Sequence, residues 1–332
     1  MTRTNAPDRL TPSPQPHVQN APPEIAAAFA KRATRHGLMT RLTSKTVAPW
    51  LFLAPTLAFG VIFFILPLLY AFYISLTRWD SLSPPRWVGF AHYKYVLTTD
   101  PVFWQTFWNT MYFAAASIGI GVPLAMVLAY AFTRSKGQTL WRSIYWLPMI
   151  TNVVAVAYIW RFVLDDRYGL LNRSLGFLGL GAPGWLTDPS LALTSVVLIF
   201  VWMQLGHNML LFSAGLANID ESYYEAARLD GANERQLFFK ITVPLLMPTT
   251  LFVLITNFIS GLSYFTLMLV LTDGNGGPLR STTVTGLYMY QMAFSDLRMG
   301  RASAVAYILF AVILIITLVQ LRVFRRGGVE AH

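Results

Sequence analysis

Six stretches of this chain are long and apolar enough to cross a bilayer, and no other feature narrows its possible folds so far. They run over residues 47–76, 106–133, 140–164, 191–216, 249–271 and 302–321. A helix needs about 20 residues to cover the hydrocarbon core. Backbone N–H and C=O groups in lipid must bond within their own segment, so these runs are helices rather than open strands. Charge supports the same reading. Only 12% of the 332 residues are charged, where a soluble domain carries roughly 25%, and mean hydropathy is +0.49. The expected fold is an all-α integral membrane protein with six transmembrane helices over 47–326. Gly60, Gly119, Gly121 and Pro123 lie inside the runs and permit close packing or kinks.

The ends lie outside this body. Residues 1–46 carry six prolines between Pro7 and Pro23 and read as a largely disordered tail, with a short basic helix expected over 24–46. Residues 327–332 form a short C-terminal tail. The first apolar run is far longer than a signal-peptide core and lacks its exit site, so it is a retained span.

Basic residues orient the helices. Seven between Arg3 and Lys45, three over 134–142, three over 228–240 and three over 322–326 fall on one side. The other nine of the 25 fall opposite. The positive-inside rule then places both termini and the 217–248 loop in the cytoplasm. The net charge of +10 is spread between apolar runs rather than held in one block, which argues against nucleic acid as a partner. Cysteine is absent, which excludes disulfides, thiol catalysis and Cys-ligated metal.

A transporter needs an energy source. No phosphate-cradling G-x-x-x-x-G-K-[ST] loop occurs, so ATP would have to be hydrolysed by another subunit. All 15 acidic residues fall in loops or tails, which argues against proton coupling through the membrane. Neither G-x-S-x-G nor H-E-x-x-H is present, leaving a membrane enzyme without a constellation and no metal site in view.

Polar residues within the apolar runs are the candidate substrate path: Asn152 after Pro148, then Trp202, Gln204, His207 and Asn208, then Asn257, Ser260, Gly261 and Tyr264. Spacings of three and four put Asn257, Ser260 and Tyr264 on one helix face. Amides, hydroxyls and aromatic faces suit a neutral polyhydroxylated ligand. The same groups also suit interhelical hydrogen bonds that only hold the bundle together. His207 alone reads as a packed, neutral histidine rather than a proton relay.

Between the fourth and fifth runs stands EAARLDGANERQLFFKITVPLLMP, Glu225 to Pro248. Glu225, Ala226 and Ala227 favour helix. Asp230-Gly231 ends it, because Gly accepts a left-handed backbone. A second helical piece is expected from about Ala232, with Leu237, Phe238 and Ile241 at helical spacing, before Pro244 leads into the next span. This stretch resembles the EAA loop of ABC importer permeases, which docks on the cytoplasmic ATPase. The resemblance rests on Glu225, Ala226, Ala227, Asp230, Gly231, Ala232, Phe238, Ile241 and Pro244.

The loops expected outside the membrane extend that resemblance to the carbohydrate type, like maltose and glycerol-phosphate permeases. Gly89-Phe90-x-His92-Tyr93, Asp100-Pro101-x-Phe103-Trp104 and Asn109-Thr110 match the first such loop, with His92 where the family usually has Asn. Leu271-Thr272, Gly276-Gly277-Pro278, Thr282 or Thr283, Tyr288, Tyr290 and Ala293-Phe294 match the third. The resemblance implies a type I ABC importer permease fold in the cytoplasmic membrane of a bacterium or archaeon. It implies a second homologous permease, two ATP-binding subunits that hold ATP and Mg, and an extracytoplasmic binding protein. No cofactor is expected on this chain. A stand-alone secondary transporter or channel is the alternative, and a membrane enzyme the third reading.

Overall fold

The computed structural model describes residues 48–133 and 138–326. The two expected tails, with Arg134 and Lys136, lie outside the described residues. In chain order the helices are α1 (Ala48–Gly60), α2 (Leu66–Ser75), α3 (Ala91–Thr98), α4 (Pro101–Thr133), α5 (Gln138–Ile150), α6 (Val153–Val163), α7 (Leu170–Phe177), α8 (Pro189–Ala217), α9 (Glu221–Leu229), α10 (Met247–Ser263), α11 (Thr266–Leu271), α12 (Thr285–Tyr290) and α13 (Met299–Arg326), with shorter turns between them.

Five of the six expected spans are present as runs long and apolar enough to cross a membrane: Pro49–Ser75, Pro101–Thr133, Pro189–Ala217, Met247–Leu271 and Met299–Phe324. The third, expected over 140–164, is not one straight helix. It is bent by 110° between Ile150 and Val153. Pro148 has no N–H to give to the preceding turn. Asn152 takes an extended backbone, and its side chain accepts the Val154 N–H at 2.8 Å, capping α6 as a new helix. The fifth span also breaks: α10 stops at Ser263, Tyr264 is extended, and α11 resumes at Thr266.

By contacts the chain forms two units, one ending at Leu69 and one starting at Tyr70. The first contains α1, the wide π turn Val61–Ile65 and the opening of α2; within it the Phe59 and Phe63 rings lie 4.4 Å apart. In the second, α4 and α8 make the most extensive pairing; α10 lies on α4, α5 on α8, and α11 on α6. Two apolar clusters fill this arrangement. One gathers Phe113, Val156, Val196, Leu267 and Leu287, and the other Val122, Met209, Phe212, Leu246 and Val253. At Gly206 helix α8 approaches α5 so closely that a side-chain carbon would stand 2.0 Å from the Tyr145 carbonyl oxygen. That contact tolerates no larger residue.

The three loops at the far end from Glu225 are richer than turn residues predict. They contain α3, α7 and α12, and the first also holds an antiparallel pair, β1 (Thr77–Arg78) with β2 (Arg86–Trp87).

Candidate functional site

The 217–248 segment is built as two short helices around a sharp turn. Asp220 caps α9, accepting the Ser222 N–H at 2.9 Å, and the Ser222 N–H and hydroxyl hold its carboxylate below the usual range. At the other end Gly231 has φ +82°, with the Gly231 N–H on the Arg228 carbonyl and the Ala232 N–H on the Ala227 carbonyl. These two bonds close the helix end that a left-handed residue makes possible. The second piece begins two residues later than expected, at Glu234. There Asn233 and Gln236 cap each other reciprocally at 2.9 Å each, a pairing that the N-x-x-Q spacing signals. It then widens into a π turn over Leu237–Thr242, next to Pro244, which has no N–H to donate back.

Residues outside the expected set tie the pieces together. The buried Tyr224 hydroxyl lies 3.0 Å from Thr242 Oγ1, which donates to the Leu237 carbonyl at 3.1 Å. Arg228 reaches Glu221 at 3.4 Å and Glu234 at 3.9 Å. Phe238 is half-buried edge-on against Tyr130 of α4, and Tyr130 donates to Glu234 at 3.0 Å. By contrast Glu225, Ala226, Asp230, Gly231 and Pro244 are exposed. Ala227, Asp230, Gly231, Ala232 and Ile241 line a shallow hollow of about 400 Å³ together with Lys240. The segment thus presents a stiff, open recess that belongs to no other part of the described chain.

The polar residues of the expected path separate into two groups. Asn208 of α8 and Asn257 of α10 are buried and exchange amide hydrogen bonds at 3.1 and 2.9 Å. Gly261 seats α10 on Ala114 of α4, and Asn152 is committed to its cap. These four hold helices. Trp202 lies edge-on to Trp160 at 5.6 Å, and both line a hollow of about 310 Å³ at the Pro148–Thr151 bend. Gln204 and His207 are half-buried and Ser260 is exposed, and their side chains make no hydrogen bond among the described residues. Tyr264 stands beyond the end of α10, so it does not continue the Asn257–Ser260 face. Its ring packs on Phe200 at 4.6 Å and Phe113 at 6.4 Å.

At the far end, residues from the first and third loops meet. Tyr288 donates to Asp100 Oδ2 at 2.5 Å, and burial, then the Asp100 partner, push its phenol well above the ordinary tyrosine value. Asp100 Oδ1 also accepts the Val102 and Phe103 N–H groups at the start of α4. Asn109 donates to the Arg280 and Thr283 carbonyls, and Thr110 accepts the Thr285 N–H at 2.8 Å. His92 is buried with its Nε2 3.0 Å from the Thr77 carbonyl. Burial, then the nearby Arg301 and Arg78, lower its pKa and favour the neutral ring.

Residues 121–326 match the model of the family described as binding-protein-dependent transport system inner membrane component. The chain is 36% identical over 276 residues to the probable ABC transporter permease protein YesP of Bacillus subtilis (strain 168), covering 82% of this chain and 89% of that one. It is 33% identical over 278 residues to the lactose transport system permease protein LacF of Rhizobium radiobacter, covering 82% and 92%. In fold it is similar to a chain of a bacterial ABC transporter involved in the import of the acidic polysaccharide alginate, with a TM-score of 0.73 and 23% identity, covering 90% of this chain and 99% of that one.

Proposed function

This chain belongs to the family of binding-protein-dependent transport system inner membrane components, and from that premise we propose that it forms half of the membrane path of an ATP-driven importer for a carbohydrate or carbohydrate derivative. Its role is transport rather than catalysis, with ATP hydrolysis and its Mg residing in a separate subunit. A second homologous permease, two ATPase subunits and an extracytoplasmic binding protein complete the assembly, with both termini and the Glu225 segment on the cytoplasmic side. A carbohydrate cargo is supported by the relative named for lactose transport.

The observation that carries the coupling role is the exposed recess at Gly231. Its walls are two capped helices, one emerging from α8 and the other leading through Pro244 into α10. A partner side chain seated there pushes on two membrane helices at once. Glu225 is placed to make a charge-assisted bond to a Lys or Arg of the ATPase. On the membrane side, Trp202, Gln204, His207, Ser260 and the Tyr264 hydroxyl remain for cargo or for the second permease, because Asn208, Asn257 and Asn152 are already committed.

The test is reconstitution of the full complex in vesicles. Binding-protein-stimulated ATP hydrolysis should be lost in Gly231→Val with all subunits expressed, and labelled oligosaccharide should enter the vesicles only with ATP. Unchanged stimulation in Gly231→Val and Glu225→Ala defeats the coupling role. Uptake of other solutes but of no carbohydrate defeats the cargo assignment.

A further inference from the structure

At the far end from Glu225, a hollow of about 690 Å³ is lined by four arginines, Arg78, Arg86, Arg298 and Arg301, beside Trp79 and His92. None of the four guanidinium groups makes an ion pair or donates a side-chain hydrogen bond among the described residues. Asp80, the one carboxylate in the lining, has Oδ1 occupied by the Leu82 and Ser83 N–H groups and the Ser83 hydroxyl. Arg78 and Arg86 stand directly opposite each other across the β1–β2 pair. Like charges in that position destabilise a strand pair. Arg301 is held by its ring contact, 4.1 Å over Tyr95, rather than by a carboxylate. Four cations thus face one space with the single charge of Asp80 to offset them, leaving an excess of positive charge.

Depth selects the ligand. Arg78 follows the end of the apolar run Pro49–Ser75 by three residues, while Arg298 and Arg301 flank the start of Met299–Phe324. The arginines thus stand where two membrane spans leave the hydrocarbon, at the level of phospholipid headgroups. Trp87 and Tyr73 are 64% and 46% exposed on the same stretch, as aromatic side chains are at that depth. Arginine binds phosphate oxygens through paired N–H donors. We propose that this hollow holds the phosphate of an anionic phospholipid headgroup, clamping the Thr77–Trp87 hairpin to the start of α13. The proposal rests on membrane embedding alone and leaves the cargo and ATPase assignments untouched if it fails.

The experiment is native mass spectrometry of the detergent-purified full chain, titrated with dioleoylphosphatidylglycerol or dioleoylphosphatidylcholine. Phosphatidylglycerol should be retained at least about tenfold more tightly, since the guanidinium groups attract its net negative charge while phosphatidylcholine is zwitterionic. The preference should collapse in Arg78→Gln/Arg298→Gln and persist in Arg173→Gln, which lies outside the hollow. Equal retention of the two lipids by the wild-type chain overturns the proposal without reference to any variant. So does an undiminished preference in a monodisperse double variant. Displacement of phosphatidylglycerol by millimolar inorganic phosphate overturns the lipid assignment in favour of a free anion.

Discussion

The two ends of the molecule use their distinctive residues in opposite ways. At the far end, Asp100, Asn109, Thr110 and Tyr288 turn inward and bond to one another across 188 residues, or to backbone 174 and 175 residues away in the chain. At the other end, Glu225, Ala226, Asp230 and Gly231 turn outward, and the bonds that shape their segment are made by neighbours such as Tyr224, Asn233 and Gln236. A residue that spends its hydrogen bonds inside the chain stabilises the fold. A residue whose position is fixed by others while its own side chain stays open is set to meet a partner. The far end is thus a lock for the bundle, and the Glu225 end a handle.

The largest effect on stability should come from the lock. Asp100→Ala removes the α4 cap and leaves the buried Tyr288 hydroxyl without its acceptor. The expected loss is about 3 kcal/mol, combining roughly 1 for the cap with 1–3 for a charge-assisted bond. Denaturant titration of the detergent-purified chain measures it, and a loss below that of an exposed alanine substitution would mean that Asp100 does not lock the bundle. Asn208→Leu should come next, at about 1–2 kcal/mol, because the Asn257 amide loses its partner between α8 and α10. Its discriminating readout is that the double change Asn208→Leu/Asn257→Leu recovers part of that loss.

The handle should show the reverse balance. A Cβ at Gly231 meets no atom within 4 Å, so the chief cost of Gly231→Val is backbone strain. That strain is about 1–2 kcal/mol in the left-handed region, yet stimulated ATP hydrolysis should be abolished. Glu225→Ala should change stability by less than about 0.5 kcal/mol, while weakening ATPase docking by roughly 1–3 kcal/mol. If Glu225→Ala unfolds the chain as readily as Asp100→Ala, the handle is part of the lock.

The smallest effect is a pH slope at His92. Its folded-state pKa is depressed, chiefly by burial, so the unfolded chain takes up the proton first. Stability should therefore be full above the ordinary histidine value of about 6.5 and decline as pH falls below it. His92→Asn should flatten that decline in denaturant titrations repeated down the acid range.

The spans and the handle were legible in the sequence because their signals are local. Apolar run length marks helices, and Gly231 ends one through its own backbone freedom. The bend after Pro148 had its causes in view, a proline and a capping Asn152, but apolar length alone favoured one straight helix. The break at Tyr264-Phe265 has neither Gly nor Pro at its site, and there the Tyr264 ring packs on Phe113 and Phe200, contacts that local sequence does not encode. Whether Asn208 and Asn257 faced a ligand or each other depended on a partner 49 residues away, which periodicity does not encode. The lock was visible only as two separated sets of residues resembling one family. Their pairing needed the fold.

The reciprocal Asn208–Asn257 bond also bears on how the chain is made. Alone in hydrocarbon, Asn208 lacks its partner and the Asn257 amide keeps only the Val253 carbonyl of its own helix, so each makes its helix less willing to leave the insertion channel. Once both helices are present, the two amides satisfy each other. The fourth and fifth spans thus gain by entering the lipid as a hairpin, after the Glu225 segment between them has been synthesised. A chain truncated before Asn257 should keep its fourth span lingering at the channel, and Asn208→Leu should release it.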